Sequence, residues 1–252
     1  METKNDKNDL TSIIIPTYNE IENIGLLICR IDQTLKEIPY ETVIVDDNSP
    51  DGTGEKAEEL GKNFPVRVIH REGKLGLASA VLKGFELARG DILGFMDADL
   101  SHPPEVIPKL ITPILEEGVD IVVASRLVEG GGVVGDWPQT RHINSYVATF
   151  LAKPLTSIKD SMSGFFFLKR SVIENVKLIP RGYKIGLEIL VKGRYTEARE
   201  IPFIFDNRGG GKSKLNLKIM LEYLLQVGDL YFYRMKHKLK DRKDISIGRE
   251  SC

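Results

Sequence analysis

Apolar and polar positions fall into blocks whose period switches between strand and helix. "TSIIIP" (Thr11–Pro16) is a short apolar run and predicts a strand. "EIENIGLLICRIDQTLKEI" then places apolar residues three and four apart, which predicts a helix. The alternation continues with "ETVIVDDNSPDGT", a strand and then a loop, helix "GEKAEELGKNF", strand "VRVIH" and helix "GLASAVLKGFELA", which ends at Gly90. Next come strand "DILGFMDADL", helix "PPEVIPKLITPILEEG" and strand "VDIVVASRLV". The helix opens on proline, whose missing N–H costs little in a first turn. Such alternation predicts an α/β fold, a mostly parallel sheet with helices on both faces. The near-continuous Val/Ile runs suit strands buried on both sides.

The regularity breaks at "EGGGVVGDWPQT", which reads as a mobile glycine-rich loop. "RHINSYVATFLAKPLT" predicts an amphipathic helix, "SGFFFLKRSVI" and "AREIPFIF" two strands, and "KIGLEILVKGRYT" a helix between them. The end, "NLKIMLEYLLQVGDLYFYRMKHKLKDRK", predicts an amphipathic helix that turns basic. No internal repeat, low-complexity segment or long linker interrupts the chain. The expected organisation is a polar tail over 1–10, one α/β domain over 11–215, and a C-terminal helix with basic tail over 216–252.

A length of 252 residues suits one large domain, or one with an appendage. The net charge of -1 gives no sign of a nucleic-acid partner. Cys29 and Cys252 do not make a disulfide framework, so a reducing compartment is expected. The start, "METKNDKNDL", lacks the apolar core of a signal peptide. No run of about 18 uncharged apolar residues occurs, so no membrane-spanning helix is expected.

In open α/β sheets, ligands bind beyond the carboxyl ends of the strands. Four polar clusters fall at such ends: "PTYNE", "DDNSPDGT", "DADLSH" and "SR". Asp97 and Asp99 follow an apolar run, Ile92 to Met96; as i and i+2 of a strand they point to one side. Two carboxylates there suit Mg²⁺ or a similar cation, completed by phosphate oxygens and water. An exposed Asp-rich turn is the plain alternative. Of the neighbours Asp46 and Asp47, one is expected to bond inward and the other, Asp47, to face a base amide or ribose hydroxyl. Tyr18 suits stacking on a base and Glu20 suits accepting from base or sugar; helix capping is the alternative for Asn19 and Glu20. "GGGVVG" and "GGGKSK" resemble nucleotide loops, but neither has the strand-to-helix context such loops need. A basic loop near phosphates remains for Arg208, Ser213 and Lys214.

"PTYNE", "VIVDDNSPDGT", "GLASAVLKG", "MDADLSHPPE", "VASR", "SGF", "EI" and "R...GKSK" occur in an order that resembles family-2 glycosyltransferases of the GT-A fold. More narrowly, they look like the dolichol-phosphate mannose synthases, from Thr11 to around Tyr223. The resemblance implies a donor site at Pro16, Tyr18, Glu20, Val45, Asp47, Asp97, Ala98 and Asp99, closed by Arg208 and Lys214. It implies metal ligands Asp97, Asp99 and Ser101, for Mg²⁺ or Mn²⁺. It implies an acceptor-phosphate site at Arg126, Arg141 and Ser145, with Asp97, Asp99 and Arg126 as the catalytic residues. Where many members read "SGFR", this chain has Ser163-Gly164-Phe165-Phe166.

The implied reaction moves mannose from GDP-mannose to dolichyl or another polyprenyl phosphate, with inversion, for protein glycosylation or glycolipid synthesis. The acceptor phosphate is already an anion, its second pKa being about 6, so it needs positioning more than a base. Arginine grips a phosphate with a planar fork. UDP-glucose as donor is a rival, as is a non-catalytic nucleotide-sugar-binding subunit. A lipid acceptor implies peripheral association with the cytoplasmic face of a membrane, or separate membrane subunits. Ile143, Val147, Phe150 and Leu151 form a stripe that suits either the interface or a core. "YFYRMKHKLKDRK" suits either an anionic membrane surface or a solvated helix end.

Overall fold

The computed structural model describes residues 10–135, 139–179, 184–206 and 217–247; side chains within 139–144, 217–219 and 238–247 fall outside that description. The elements run β1 (Thr11–Thr17), α1 (Ile21–Thr34), β2 (Tyr40–Asp46), α2 (Thr53–Leu60), β3 (Val66–His70), α3 (Leu77–Leu87), β4 (Ile92–Phe95) and α4 (Ile107–Glu116). They continue β5 (Ile121–Ser125), β6 (Gly132–Val134), α5 (Gln139–Ala152), β7 (Phe166–Lys169), α6 (Ile185–Lys192), β8 (Ala198–Pro202), β9 (Ile204–Asp206) and α7 (Leu217–Ile247).

The main sheet has the order β3-β2-β1-β4-β7-β5-β8. β7 runs antiparallel to β4 and β5, and the other pairings are parallel. The carboxyl ends of β1, β2, β4 and β5 therefore share one edge. Alternate side chains serve opposite faces. Ile13 and Ile15 of β1 join α1 and α4 residues such as Leu27 and Leu110 in one core. Ile14 joins α3 and α6 residues such as Phe85 and Ile189 in the other. Each fully buried isoleucine contributes roughly 1.5–3 kcal/mol, so the sheet edge rests on a rigid base.

Three sequence expectations need correction. First, β4 stops at Phe95, so the i, i+2 strand argument does not apply to Asp97 and Asp99. The two sit in a bend just past the strand, where Leu100 takes a left-handed φ of 62°. Second, the glycine-rich stretch contains β6, which pairs with β9 in a separate two-stranded sheet. The chain passes so close to β5 there that a Cβ on Gly131 would lie 2.5 Å from the Ser125 carbonyl oxygen. Third, "AREIPFIF" divides into β8 and β9. Pro202, lacking an amide hydrogen, ends the β8 ladder. The next amide, of Phe203, donates to Ser125 O at 3.1 Å.

The C-terminal helix packs on the sheet domain. Tyr223, Val227 and Leu230 of α7 are buried with Ala152, Leu155, Met162 and Leu187. The Tyr223 and Tyr231 hydroxyls donate to the carbonyls of Ala148 (2.6 Å) and Leu151 (3.0 Å) on α5. Of the stripe on α5, Val147 and Phe150 are exposed while Leu151 packs toward α7.

Candidate active site

Beyond the carboxyl ends of β4 and β5 lies a cavity of 170 Å³ that meets Asp97, Asp99, His102, Arg126, Lys184 and Phe205. A larger cavity of 540 Å³ lies between α6 and α7, against Tyr195, Tyr233, Arg234 and His237. It reaches neither aspartate, so the smaller one is the candidate site.

The bend holding the aspartates is built by the residues after it. The Asp97 amide donates to Nδ1 of His102 at 3.0 Å. The Asp99 carboxylate accepts from the Ser101 amide (3.0 Å) and hydroxyl (2.5 Å) through one oxygen, Oδ1. Ala98 between them is buried, as is Ser101, while Asp99 itself is exposed. His102 stacks on Phe165 with ring centroids 5.0 Å apart and meets the edges of Phe203 and Phe205. Burial in this aromatic box holds its imidazole neutral, down to about 4. With Nδ1 accepting, the proton of the neutral ring sits on Nε2.

Asp97 lies deep in the cleft, although 39% of its side-chain surface is accessible. Burial pushes its carboxyl up to about 7, Asp99 adds to the rise, and Lys184 and Arg126 oppose it. Without a cation the pair therefore favours holding a proton. A divalent cation held between the two carboxylates would reverse that balance. Among the described residues no group of three His, Cys, Asp or Glu side chains is placed to hold a metal. Asp97 and Asp99 are the two carboxylates that could hold an ion here, one that takes its remaining ligands from phosphate and water. The Ser101 hydroxyl, nominated as a third ligand, donates to Asp99.

The β1 and β2 ends form the neighbouring wall. Asp46 is the inward partner expected: it accepts from the Thr17 hydroxyl (2.8 Å), the Ser49 amide (2.9 Å) and the Ser49 hydroxyl (2.6 Å). Asp47 is also buried, in an ion pair with Arg71 at 2.9 Å. Burial raises its pKa, against Arg71 and the amides of Gly76 and Leu75. Tyr18 is 37% exposed, with the Lys74 ammonium 3.9 Å from its ring centroid. Pro16 and Val45 are register partners, and the Val45 side chain is fully buried toward α3. Its backbone alone can meet a ligand.

Glu20 precedes α1 but makes no capping bond with its side chain. Its carboxylate accepts from Asn23 at 2.8 Å, while its amide donates to the Thr53 hydroxyl at 2.9 Å. Burial raises its pKa, the Asn23 bond opposes, and Asp99 and Asp51 add to the rise. Glu20 thus shares the electrostatics of the aspartate bend.

On the β5 side, Arg126 forms a two-pronged ion pair with the fully buried Asp160: Nε to Oδ2 at 2.8 Å and Nη2 to Oδ1 at 2.7 Å. Its guanidinium carbon lies 5.7 Å from the Phe205 ring centroid. Ser145 is half-buried on α5. Arg141 lies on α5 with its side chain outside the described residues, and Arg208 and Lys214 lie outside them altogether. The position where many members carry arginine, Phe166, is a buried core residue against Phe95.

Three residues of the cleft had no role assigned from sequence. His102 stood inside the quoted "DADLSH" motif, and its place after the bend was the available signal. Asp160 precedes "SMSGF" with nothing local to tie it to Arg126, 34 residues away. Lys184, at the start of α6, donates to Met162 O at 2.7 Å and lowers Asp97. Only the fold brings it there.

Residues 12–177 match the family described as glycosyl transferase family 2. A dolichol-phosphate mannosyltransferase from Saccharomyces cerevisiae is 39% identical over 235 residues, covering 88% of this chain and 87% of that protein. The chain belongs to family 2, among the dolichol-phosphate mannosyltransferases. A protein of the same name from Pyrococcus furiosus is 50% identical over 220 residues, and there the match covers 86% of this chain but 62% of the longer relative. Solved structures share the fold at lower identity. A glucosyl-3-phosphoglycerate synthase from Mycobacterium tuberculosis gives a TM-score of 0.64 at 21% identity, over 87% of this chain and 80% of that one. A mannosyltransferase from Pyrobaculum calidifontis, in complex with GDP-Man and Mn²⁺, gives 0.57 at 18% identity, over 82% and 59%. The sheet order and flanking helices are those of a GT-A-like α/β fold.

Proposed function

We propose that this chain transfers a mannosyl group from GDP-mannose to dolichyl or another polyprenyl phosphate, with inversion, in the Asp97–Asp99 cleft. The observation that carries the catalytic reading is the paired aspartates converging with Arg126 and Lys184 on one cavity. The names of the relatives support mannose and dolichol. The rival non-catalytic subunit has no use for a carboxylate pair held this carefully.

Asp97 and Asp99 are the side chains that would hold Mg²⁺ or Mn²⁺. When bound, such an ion supplies positive charge that stabilises a departing nucleoside diphosphate. Ser101 holds Asp99 in place, and His102 holds the backbone of Asp97. The Thr17–Asp46–Ser49 bonds fix the loop after β2, where Tyr18 and the Asp47–Arg71 pair form the nucleotide wall. Arg126, with Arg141 and Ser145, orients the acceptor phosphate. Arg208 and Lys214 add positive charge at the donor diphosphate. No general base is required, because the nucleophile is an anion near neutral pH.

A long lipid must be met at a membrane. Among the described residues no helix is long and apolar enough to cross one. α7 is apolar on two faces: opposite its buried face runs a second stripe with Leu221 (58% exposed), Leu225 (51%), Phe232 (70%) and Met235 (62%). Tyr146, Val147 and Phe150 of α5 are exposed as well. Peripheral docking through these faces suits the basic run at the end of α7. The test of the reaction is a donor panel: GDP-mannose and UDP-glucose, each with Mn²⁺ and dolichyl phosphate. Transfer from GDP-mannose is expected, and transfer from UDP-glucose alone would overturn the reading.

A further inference from the structure

Arg126 is held by a device that begins on a different strand. Its guanidinium and its backbone amide all donate to the Asp160 carboxylate, the amide at 2.9 Å. Asp160 is fully buried, at 0% exposure, so its position is set by its own loop. The amides of Lys159 and Asp160 in that loop are both held by one side chain. Glu200 on β8 accepts from the Lys159 amide through Oε2 at 2.9 Å and from the Asp160 amide through Oε1 at 3.0 Å. β8 pairs with β5 in parallel, with Glu200 opposite Val123, three residues before Arg126. The four groups make a closed path: β5 to Arg126, to Asp160, to Glu200, and back through the ladder to β5.

We propose that Glu200 is a positioning residue for the acceptor-phosphate site, acting on Arg126 through Asp160. This rests on the reading of Arg126 as a phosphate contact. The chemistry explains why a carboxylate is used. Two consecutive amides point at two oxygens, and only a carboxylate offers an acceptor at both. A glutamine would turn one NH₂ group against an N–H and release one bond. Asp160 would then be free to shift, and with it both prongs on Arg126. Bidentate recognition of phosphate by arginine depends on the fork's plane, so a small rotation of that plane weakens the acceptor and leaves the donor wall untouched. Asp47, Arg71 and Tyr18 of that wall have no part in the path.

The experiment uses full-length Glu200→Gln, Glu200→Asp and Arg126→Lys, and the Glu200→Gln/Arg126→Lys double variant. KM is measured for GDP-mannose and for polyprenyl phosphate separately. The Arg126 Nε–H resonance is followed by NMR in wild type and in Glu200→Gln. Glu200→Gln is expected to raise KM for the lipid phosphate about tenfold, with the KM for GDP-mannose unchanged and the Nε–H resonance displaced. Glu200→Asp, which keeps two acceptors, is expected to recover part of the loss. The double variant should be no worse than Arg126→Lys alone, because the two act in series. An unmoved Nε–H resonance, or equal increases in both KM values, overturns the proposal and leaves Glu200 a general stabiliser. Arg126→Lys neutral toward the acceptor also overturns the proposal, and does so by removing Arg126 from the acceptor site, an outcome told apart from the first two because the Nε–H resonance still moves in Glu200→Gln.

Discussion

The amide of Asp97 donates to Nδ1 of His102 at 3.0 Å, so an imidazole five residues ahead holds the backbone of a metal-type aspartate. The ring itself is fixed by Phe165, Phe203 and Phe205. His102→Phe preserves the aromatic packing and deletes the acceptor. A buried amide left unpaired costs about 1–3 kcal/mol. The expected result is Mn²⁺ binding weakened about tenfold or more in the presence of GDP, with the fold retained. Electron paramagnetic resonance titration of Mn²⁺ measures it. Unchanged affinity would show that the bend holds without His102.

The same two residues give the stability a pH dependence with opposite signs. His102 is held down to about 4 from an ordinary 6.5, so the unfolded chain takes up the proton first. Its contribution is present above pH 6.5 and is lost as pH falls from 6.5 through 4. Asp97 is raised to about 7 from 3.8, so the folded state binds the proton more tightly. Its contribution is present below 3.8 and is lost as pH rises from 3.8 through 7. A divalent cation offsets the Asp97 loss. The shift in melting temperature on adding Mn²⁺ is therefore expected to be larger at pH 8 than at pH 5.5. Equal shifts at both values would count against Asp97 as a ligand.

The strand edge that carries these groups was legible because each polar cluster follows an apolar run. "PTYNE", "DDNSPDGT" and "DADLSH" fall where an open sheet places its ligands. What stayed hidden depends on distance in sequence. Nothing near Arg126 announces Asp160, and nothing near Asp160 announces Glu200. The early end of β4 was hidden for another reason: Met96 is apolar and fully buried, so it continues the hydrophobic run past the last ladder residue.

Asp97→Asn and Asp99→Ala each remove one of the two carboxylates of the candidate site, where among the described residues no third His, Cys, Asp or Glu side chain is grouped with them to hold a metal. Loss of turnover by a factor of at least about 10² is expected, in line with the electrostatic stabilisation removed. Binding of GDP without metal should be retained. Full turnover by Asp99→Ala would return the pair to a solvated turn.

Arg71 and Asp47 are 7% and 9% exposed, and breaking such a buried pair costs about 3–5 kcal/mol because one charge stays behind. Arg71→Ala is expected to lower stability in urea by roughly 3 kcal/mol and to raise KM for GDP-mannose. Arg71→Ala/Asp47→Leu removes both charges and should recover much of the stability but none of the donor affinity. Stability unaffected by the single variant would place solvent where the structure places an ion pair.

The second apolar stripe on α7 has no counterpart in the packed core. Leu225 and Phe232 are seven residues apart and so lie on one side of the helix, opposite Tyr223, Val227 and Leu230, which face α5 and α6. Burying what remains exposed of these two side chains in a lipid interface contributes about 2–4 kcal/mol by area. Leu225→Ser/Phe232→Ser should therefore reduce co-sedimentation with anionic vesicles at least about tenfold. The melting temperature should not fall, because neither side chain supports the core. High salt should weaken what binding remains, since the basic end of α7 then carries it alone. Undiminished sedimentation by the double variant would move the contact to Tyr146, Val147 and Phe150 of α5, and the same substitution to serine at Phe150 would then be the one that releases the protein.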